Sequence, residues 1–216
     1  MLNEKLAKLG LQIDDASDNA DIEMLEQSLA ECDLLIEEMD SYNCSILYFY
    51  KANCYSAIRT IEKQFQDDTW DWHQEKRILE ILNLRQAIKE DGFEQLEDLM
   101  KCKILTNLAN SLSSLGRVIE ANKYYERALA QIDNFAMGIG NKAIGLFHYA
   151  QHLYDGGHAG AFFFYINKEL SRFDTESLLW DCWIQKDALT AFHKYKKYTD
   201  GILNDIQFNV ESYNKK

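Results

Sequence analysis

The chain has 216 residues, of which 47% are hydrophobic and 27% are charged, ordinary values for one globular domain or a short helical solenoid. Its net charge of −12 disfavours a general nucleic-acid-binding surface, because such a surface needs a basic footprint. The chain contains no proline and only 10 glycines. Since proline interrupts helix interiors, this composition favours long helices and an all-α fold.

The cysteines predict neither a zinc site nor a disulfide framework. They are odd in number and scattered, with no Cys-x-x-Cys pair: Cys32, Cys44, Cys54, Cys102 and Cys182. The start of the chain has no apolar signal core, and no run of apolar residues approaches the length of a membrane span. We therefore expect a cytoplasmic protein with reduced thiols, no membrane segment and no cofactor.

Residues 1–40 are expected to form a first pair of helices. The first is a short helix, with Leu2, Leu6, Leu9 and Ile13 on one face, that ends in the polar cluster from Asp14 to Asn19, and the second runs to about Met39. Asp18 or Asn19 is predicted to cap the second helix, on which Leu25, Leu29 and Cys32 share one face. This stretch holds twelve Asp and Glu residues against two lysines. The excess charge indicates either a solvated outer face or a docking surface for a basic partner.

A second pair is expected over residues 45–90. Its first helix, from about Ser45 to Ile61, places the small Ala52 between large aromatic residues. A connection containing Trp70 and Trp72 follows, and these side chains either pin the connection to the body or present an anchor to a partner. The second helix is predicted over Glu75–Lys89, with an inward face formed by Ile78, Ile81, Leu84 and Ala87.

A third pair is expected over residues 93–135, and its region from Ile104 to Phe135 has the clearest pattern in the chain. Two amphipathic runs are separated by Leu115-Gly116-Arg117, where Gly116 suits a left-handed residue at a helix end. Small residues permit close helix approach and larger ones fill the space around them. The apolar positions are Leu105, Leu108, Ala109, Leu112, Ala121, Tyr125 and Ala128.

This region resembles a tetratricopeptide repeat, whose two helices carry large and small apolar residues in a 34-residue pattern. The chain departs from the pattern with Ala109 for glycine, Leu112 for an aromatic residue and Asn134 for proline. One such hairpin cannot bury its own apolar face, so neighbouring repeats are implied. The resemblance implies a right-handed α-solenoid of antiparallel helix hairpins extending over the single domain 1–216.

The remaining chain is interpreted in the same terms. A fourth pair is expected over residues 136–171, with Ala161, Phe164 and Ile166 on its second helix. Asp174 or Thr175 is predicted to begin C-terminal capping helices over about 174–211, interrupted at Gly201.

The resemblance also implies a concave groove, lined by the first helix of each repeat, that binds extended peptides. Family members that grip chaperone C-termini use asparagines at the positions of Asn53 and Asn107, together with basic residues. The basic positions here hold Phe49, Met137 and Asn141, so an internal or less charged segment is a better expectation than a terminal carboxylate. We call the following set the predicted groove: Phe49, Tyr50, Asn53, Thr106, Asn107, Asn110, Ser113, Ser114, Met137 and Asn141.

Signals for catalysis are weak. The chain has no glycine-rich phosphate loop and no Gly-x-Ser-x-Gly motif. His148 and His152 are one helical turn apart, with Asp155 and His158 downstream, but structural histidines are a simpler explanation than a metal enzyme. Lys194-Tyr-Lys-Lys-Tyr198 alternates basic and aromatic residues in a way that can stack on nucleic acid. Lysines at a helix end, complementing its dipole, are the simpler explanation here.

These observations predict a non-enzymatic scaffold that binds a protein or peptide, with self-association as a further possibility. A nucleic-acid or membrane partner is not expected. The alternative is a sensor or regulatory module of a bacterial effector or defence system, since the irregular repeats resemble in architecture the regions preceding HEPN-type ribonuclease toxins. The HEPN signature, an arginine followed four to six residues later by a histidine, is missing here, so this alternative requires the catalytic part to lie elsewhere.

Overall fold

The computed structural model describes residues 2–38, 41–64, 75–153, 156–181 and 185–214. Within those ranges the chain forms α-helices and one short 3-10 turn at Phe93–Gln95, with no β-strand. The prediction of an all-helical fold is therefore confirmed. The helices are α1 Leu2–Asp18, α2 Ile22–Glu38, α3 Ser41–Gln64, α4 Glu75–Lys89, α5 Asp98–Ser114, α6 Val118–Gln131, α7 Ala136–Ala150, α8 Gly156–Thr175 and α9 Gln185–Asn214.

The chain divides into two compact units, Met1–Leu115 and Gly116–Lys216. In the first unit, consecutive helices pack against each other from α1 to α5, and α1 also contacts α3. An apolar cluster joins α1, α2 and α3, with Leu9, Leu25, Leu47 and Ile58 among the side chains that are fully enclosed. Ser45 adds a hydrogen bond from its hydroxyl to the Ala87 carbonyl oxygen at 2.6 Å, which links α3 to α4.

In the second unit, consecutive helices pack from α6 to α9, and α7 also contacts α9. Gly140 of α7 allows that close approach, because a β-carbon at this position would lie 2.1 Å from the Phe192 ring of α9. Phe192 also contacts the rings of Phe173 and Trp180. The aromatic residues near the C-terminus therefore cover the core of this unit.

Phe135 and Leu179 form a β-bridge, the one such bridge in the described ranges, which holds the segment after α8 against the residues before α7. The Leu179 N–H donates to the Asn134 carbonyl oxygen at 2.9 Å, and the Ala136 N–H donates to the Leu179 carbonyl oxygen at 3.0 Å. Asp174 and Thr175 lie in the last turn of α8, so the prediction that they begin the final helix is wrong. The final helix begins at Gln185 and continues through Gly201 without the predicted interruption.

Several helix boundaries in the first unit also differ from prediction. Helix α1 continues to Asp18 because Ile13 and Ala16 extend its buried stripe, while the intervening carboxylates face solvent. Asp21, rather than Asp18 or Asn19, caps α2 by accepting the Met24 N–H at 3.0 Å. Helix α3 begins at Ser41, earlier than the predicted Ser45, whereas the predicted bounds of α4 are confirmed.

The region around the clearest sequence pattern is interrupted before α5. Phe93 and Leu96 are buried by the 3-10 turn, which contacts α3 and α4, and Leu96 is extended. Helix α5 therefore starts at Asp98 instead of running from Phe93. At the other end, Gly116 has a φ of +76°, which confirms the predicted left-handed residue.

Candidate functional site

The residues of the predicted groove are divided between the two units. Eight lie in the first unit, on two helices that both pack against α4: Phe49, Tyr50 and Asn53 on α3, and Thr106, Asn107, Asn110, Ser113 and Ser114 on α5. Met137 and Asn141 lie on α7 in the second unit, where Met137 packs against the apolar core. The first unit therefore holds most of the candidate site.

Asn53 and Asn107 have the side chains best suited to binding in this set. Both are half-buried, and among the described residues neither amide takes part in a side-chain hydrogen bond. An asparagine amide can donate one hydrogen bond to a peptide carbonyl and accept another from a peptide N–H. Each residue can therefore engage a peptide backbone without first breaking an internal hydrogen bond.

Three other members of the set serve the interior. Phe49 and Thr106 are buried, which leaves little of either side chain for a partner to touch. Tyr50 packs against the α1–α2–α3 core, and its hydroxyl lies so close to Gly10 that a β-carbon there would be 2.7 Å away. Burial, with a smaller contribution from Asp14, raises the pKa of Tyr50 and keeps the phenol neutral.

The serines at the end of α5 contact the neighbouring helix. The exposed Ser114 accepts a short hydrogen bond from the Arg77 guanidinium and donates to the Ser111 carbonyl oxygen at 2.9 Å. Ser113 is half-buried. The Ser114 hydroxyl is thus already engaged, which makes it a weaker candidate for binding than the two asparagines.

Beneath these serines lies a buried polar cluster that joins three helices. Glu80 of α4 accepts from the Arg59 guanidinium of α3 at 3.2 Å and from the Ser111 hydroxyl of α5 through a short hydrogen bond. The side chains of Arg59 and Glu80 are only 13% and 6% exposed. A paired and hydrogen-bonded charge of this kind fixes the relative positions of the helices that carry the predicted groove.

Apolar spacing alone does not reveal this cluster. The predicted inward residues Ile81, Leu84 and Ala87 of α4 are buried, but the buried face also contains charged side chains. Ile78, predicted to point inward, is 52% exposed, whereas Arg77, Glu80 and Asn83 are buried beside Ile81. The sequence does contain a signal for this buried charge. Arg77 and Glu80 lie at three- and four-residue spacing from each other and from the inward-facing Leu84 and Ala87, which places all four on one helix face.

Next to Asn141, the second unit contains a buried lysine. Lys142 donates a short hydrogen bond to the Tyr165 hydroxyl and lies 3.4 Å from a Glu126 carboxylate oxygen. These contacts connect α6, α7 and α8, so Lys142 has a clear structural role.

The histidines do not form the metal constellation that was considered from sequence. His148 and His152 are exposed, and His148 Nε2 lies 3.0 Å from the Tyr195 hydroxyl. Asp155 is outside the described residues. Across the ranges that are described, no group of three or more His, Cys, Asp or Glu side chains could hold a metal ion.

The Lys194–Tyr198 segment lies in the interior of α9, so the explanation from a helix end is wrong. Tyr195 packs against Phe147 in the core, and Lys196 forms an ion pair with Asp200 at 2.9 Å. Lys194, Lys197 and Tyr198 remain exposed. The alternation of basic and aromatic residues therefore does not form one continuous surface.

Four of the five cysteines, Cys32, Cys44, Cys54 and Cys102, are buried free thiols. Cys182, like Trp70 and Trp72, lies outside the described residues. Burial raises the pKa of Cys54 to about 12, which keeps its thiol protonated and unreactive.

Comparisons of the chain with protein-family models, curated proteins and solved structures gave no match. In the described part of the chain, no helix combines the length and apolar character that crossing a membrane requires.

Proposed function

We propose that the chain is a non-enzymatic scaffold of tetratricopeptide-like, right-handed solenoid form, whose concave groove binds a protein or peptide segment. The observation that carries this proposal is the pair of half-buried amides, Asn53 and Asn107, without side-chain hydrogen bonds in the described ranges. They lie on α3 and α5, the helices that correspond to the first helices of two predicted repeats.

The helix packing supports the architectural part of the proposal. In a stack of helix hairpins, each helix contacts its neighbours in sequence, and first helices of adjacent hairpins also meet. Contacts of the second kind are made by α1 with α3 in the first unit and by α7 with α9 in the second, whereas α3 and α5 are linked through α4, against which both pack. The positive φ of Gly116 supports the predicted end of a helix just before this residue, because that conformation disfavours residues with a β-carbon.

The charge of the groove residues supports the class of ligand. Their side chains are amides, hydroxyls, aromatic rings and one thioether, with no basic group to pair with a terminal carboxylate. Amides recognise peptide N–H and C=O groups independently of the ligand side chains. We therefore propose an internal, extended segment of a partner protein as the ligand.

The test is affinity capture of the tagged protein from its native lysate, with mass spectrometry to identify bound species. Asn53→Ala/Asn107→Ala is the test variant, and Asn204→Ala, which changes an exposed asparagine of α9, is the matched control. One partner retained by the control and lost by the double variant is the expected result. Titration of that partner's fragments should then show at least tenfold weaker binding to the double variant, because net hydrogen-bond contributions are about 1 kcal/mol each.

Equal binding of the partner by all three proteins would refute the groove proposal. A nuclease as the captured partner would instead favour the regulatory-module alternative. Circular dichroism spectra and unfolding temperatures of the variants must match the wild type for either conclusion.

A further inference from the structure

The second helix of the chain presents an apolar groove at the surface of the first unit. The groove has a volume of about 470 Å³ and runs beside α2, where Ala30, Leu34 and Leu35 supply its apolar wall. Leu35 belongs to the core, but Leu34 is 63% exposed. A leucine this exposed inside a groove gives a partner an apolar surface to cover.

Acidic residues border this apolar wall. Glu31 and Glu38 line the groove with Gln27, and these positions follow the three- and four-residue spacing of one helix face. Helix α2 carries six acidic residues and no lysine or arginine. Lys5 of α1 reaches the groove, but its ammonium group is 3.8 Å from Glu31 and both side chains are well exposed. This contact is weak enough for a competing cation to replace it.

The end of α2 leaves further negative charge uncompensated. Glu37 and Glu38 occupy its last turn, which contains no basic residue, although carboxylates are unfavourable at the negative end of a helix dipole. Among the described residues, neither forms an ion pair. A cationic partner relieves this repulsion and at the same time meets the acidic border of the groove.

We propose that the groove beside α2 docks a basic amphipathic helix of a partner protein. An apolar side chain of that helix packs on Leu34 and Ala30, while lysines or arginines on either side reach Glu31 and Glu38. These two glutamates are separated by about two helical turns, roughly 10 Å, so basic residues seven positions apart in the partner match them. This surface lies on α2, outside the predicted groove on α3, α5 and α7, and does not depend on that groove.

The probe is a fluorescent synthetic helix with leucines along one stripe and lysines flanking it at seven-residue spacing. Binding is measured by fluorescence anisotropy at low and high salt. The test variants are Leu34→Gln, which removes the apolar contact, and Glu31→Lys/Glu38→Lys, which reverses the charge of the two glutamates that border the groove. Leu11→Gln is the matched control for the first, since Leu11 is 65% exposed on α1 and does not line the groove. Glu94→Lys/Glu97→Lys, at two exposed residues in and just after the 3-10 turn, controls for the reversal of two charges.

The expected result is saturable binding that weakens with salt and falls about tenfold or more in each test variant. Covering a leucine is worth that factor, and reversing both glutamates replaces attraction of the probe's lysines by repulsion. The controls and Asn53→Ala/Asn107→Ala should bind the probe within about twofold of wild type. Leu34 is exposed, so its substitution should leave the unfolding temperature unchanged.

Three results would overturn the proposal. They are failure of the wild type to bind the probe, equal binding of a probe with the same composition in scrambled order, and equal binding by the test and control variants. Loss of probe binding in Asn53→Ala/Asn107→Ala alone would place the probe in the predicted groove and would also refute docking beside α2.

Discussion

Substitution of Glu80 tests whether the buried polar cluster stabilises the first unit. Glu80→Ala removes the carboxylate that accepts from Arg59 and Ser111, and it leaves a guanidinium only 13% exposed without that partner. Breaking a buried ion pair in this way costs about 3–5 kcal/mol of unfolding free energy. The partial exposure of Arg59 places the expected value toward the lower end of that range.

The same two helices provide a matched control. Lys76 and Glu62 form an ion pair at 2.8 Å between α4 and α3, with side chains 36% and 40% exposed. Although this pair is shorter than the 3.2 Å pair of Arg59 and Glu80, solvent screens it. Glu62→Ala should therefore cost only about 0–1 kcal/mol. The comparison separates the effect of burial from that of distance.

Urea unfolding followed by circular dichroism gives the free-energy change, and hydrogen exchange of α3, α4 and α5 locates it in the first unit. Arg59→Ala/Glu80→Ala should be less destabilising than the sum of its single substitutions, since the double variant leaves no uncompensated buried charge. Equal costs for Glu80→Ala and Glu62→Ala, or additive costs in the double variant, would show that the reasoning is incorrect.

Three further predictions concern backbone conformation, close packing and pH. Gly116→Ala should lower the free energy of unfolding by about 1–2 kcal/mol because of its positive φ, while Gly201→Ala, in open space within α9, should raise it by about 0.5–1 kcal/mol. Thermal unfolding that shifts in the same direction for both variants would contradict this. Gly140→Ala should lower the free energy of unfolding by about 1–3 kcal/mol because its β-carbon meets the Phe192 ring, and the same substitution should cost less in a Phe192→Ala background. Additive costs in the double variant would exclude the clash. Because burial raises the pKa of Cys54 to about 12, the contribution of this thiol to the free energy of unfolding is complete below pH 9 and is lost as pH rises toward 12, by about 1.4 kcal/mol per pH unit. Urea unfolding of Cys54→Ala between pH 9 and 12 should lack this loss, and a pH dependence equal to that of the wild type would contradict the assignment.

The parts of the fold that were predictable from sequence are those in which apolar spacing and backbone chemistry agree. The helices on either side of Gly116 follow from such a pattern, and Gly116 itself has the left-handed conformation that its position requires. On α2, Leu25 and Cys32 are fully buried as their spacing indicates. In these stretches each local preference supports the same helix face.

Prediction failed where two faces of a helix were similarly apolar or where charge was buried. On α8 the inward face contains Phe163 and Ile166, whereas the predicted Phe164 is 68% exposed, because three consecutive phenylalanines do not define a unique face. On α4 the buried Glu80 is stabilised by Arg59, from a different helix. Spacing within one helix contains no information about such a distant partner.

The candidate site was predictable in part for the same reason. Position on α3 and α5 follows from helical spacing, and it places Asn53 and Asn107 at half-buried sites. Tertiary contacts decide whether a polar group is already hydrogen-bonded to a neighbouring side chain, as the Ser114 hydroxyl is to Arg77. The sequence therefore indicates candidate residues, while packing decides which of them remain available.

The bridge between Phe135 and Leu179 determines where the second unit can change in length. The bridge brings the segment after α8 next to the residue that precedes α7, so the stretch from α7 to α8 is a long loop whose two ends are hydrogen-bonded to each other. Residues added between Ala150 and Gly156 lengthen this loop without changing the pairing of Phe135 with Leu179. Since doubling a loop raises its closure cost by only about 0.6 kcal/mol, the connection between α7 and α8 is a suitable place to insert a tag or a reporter domain.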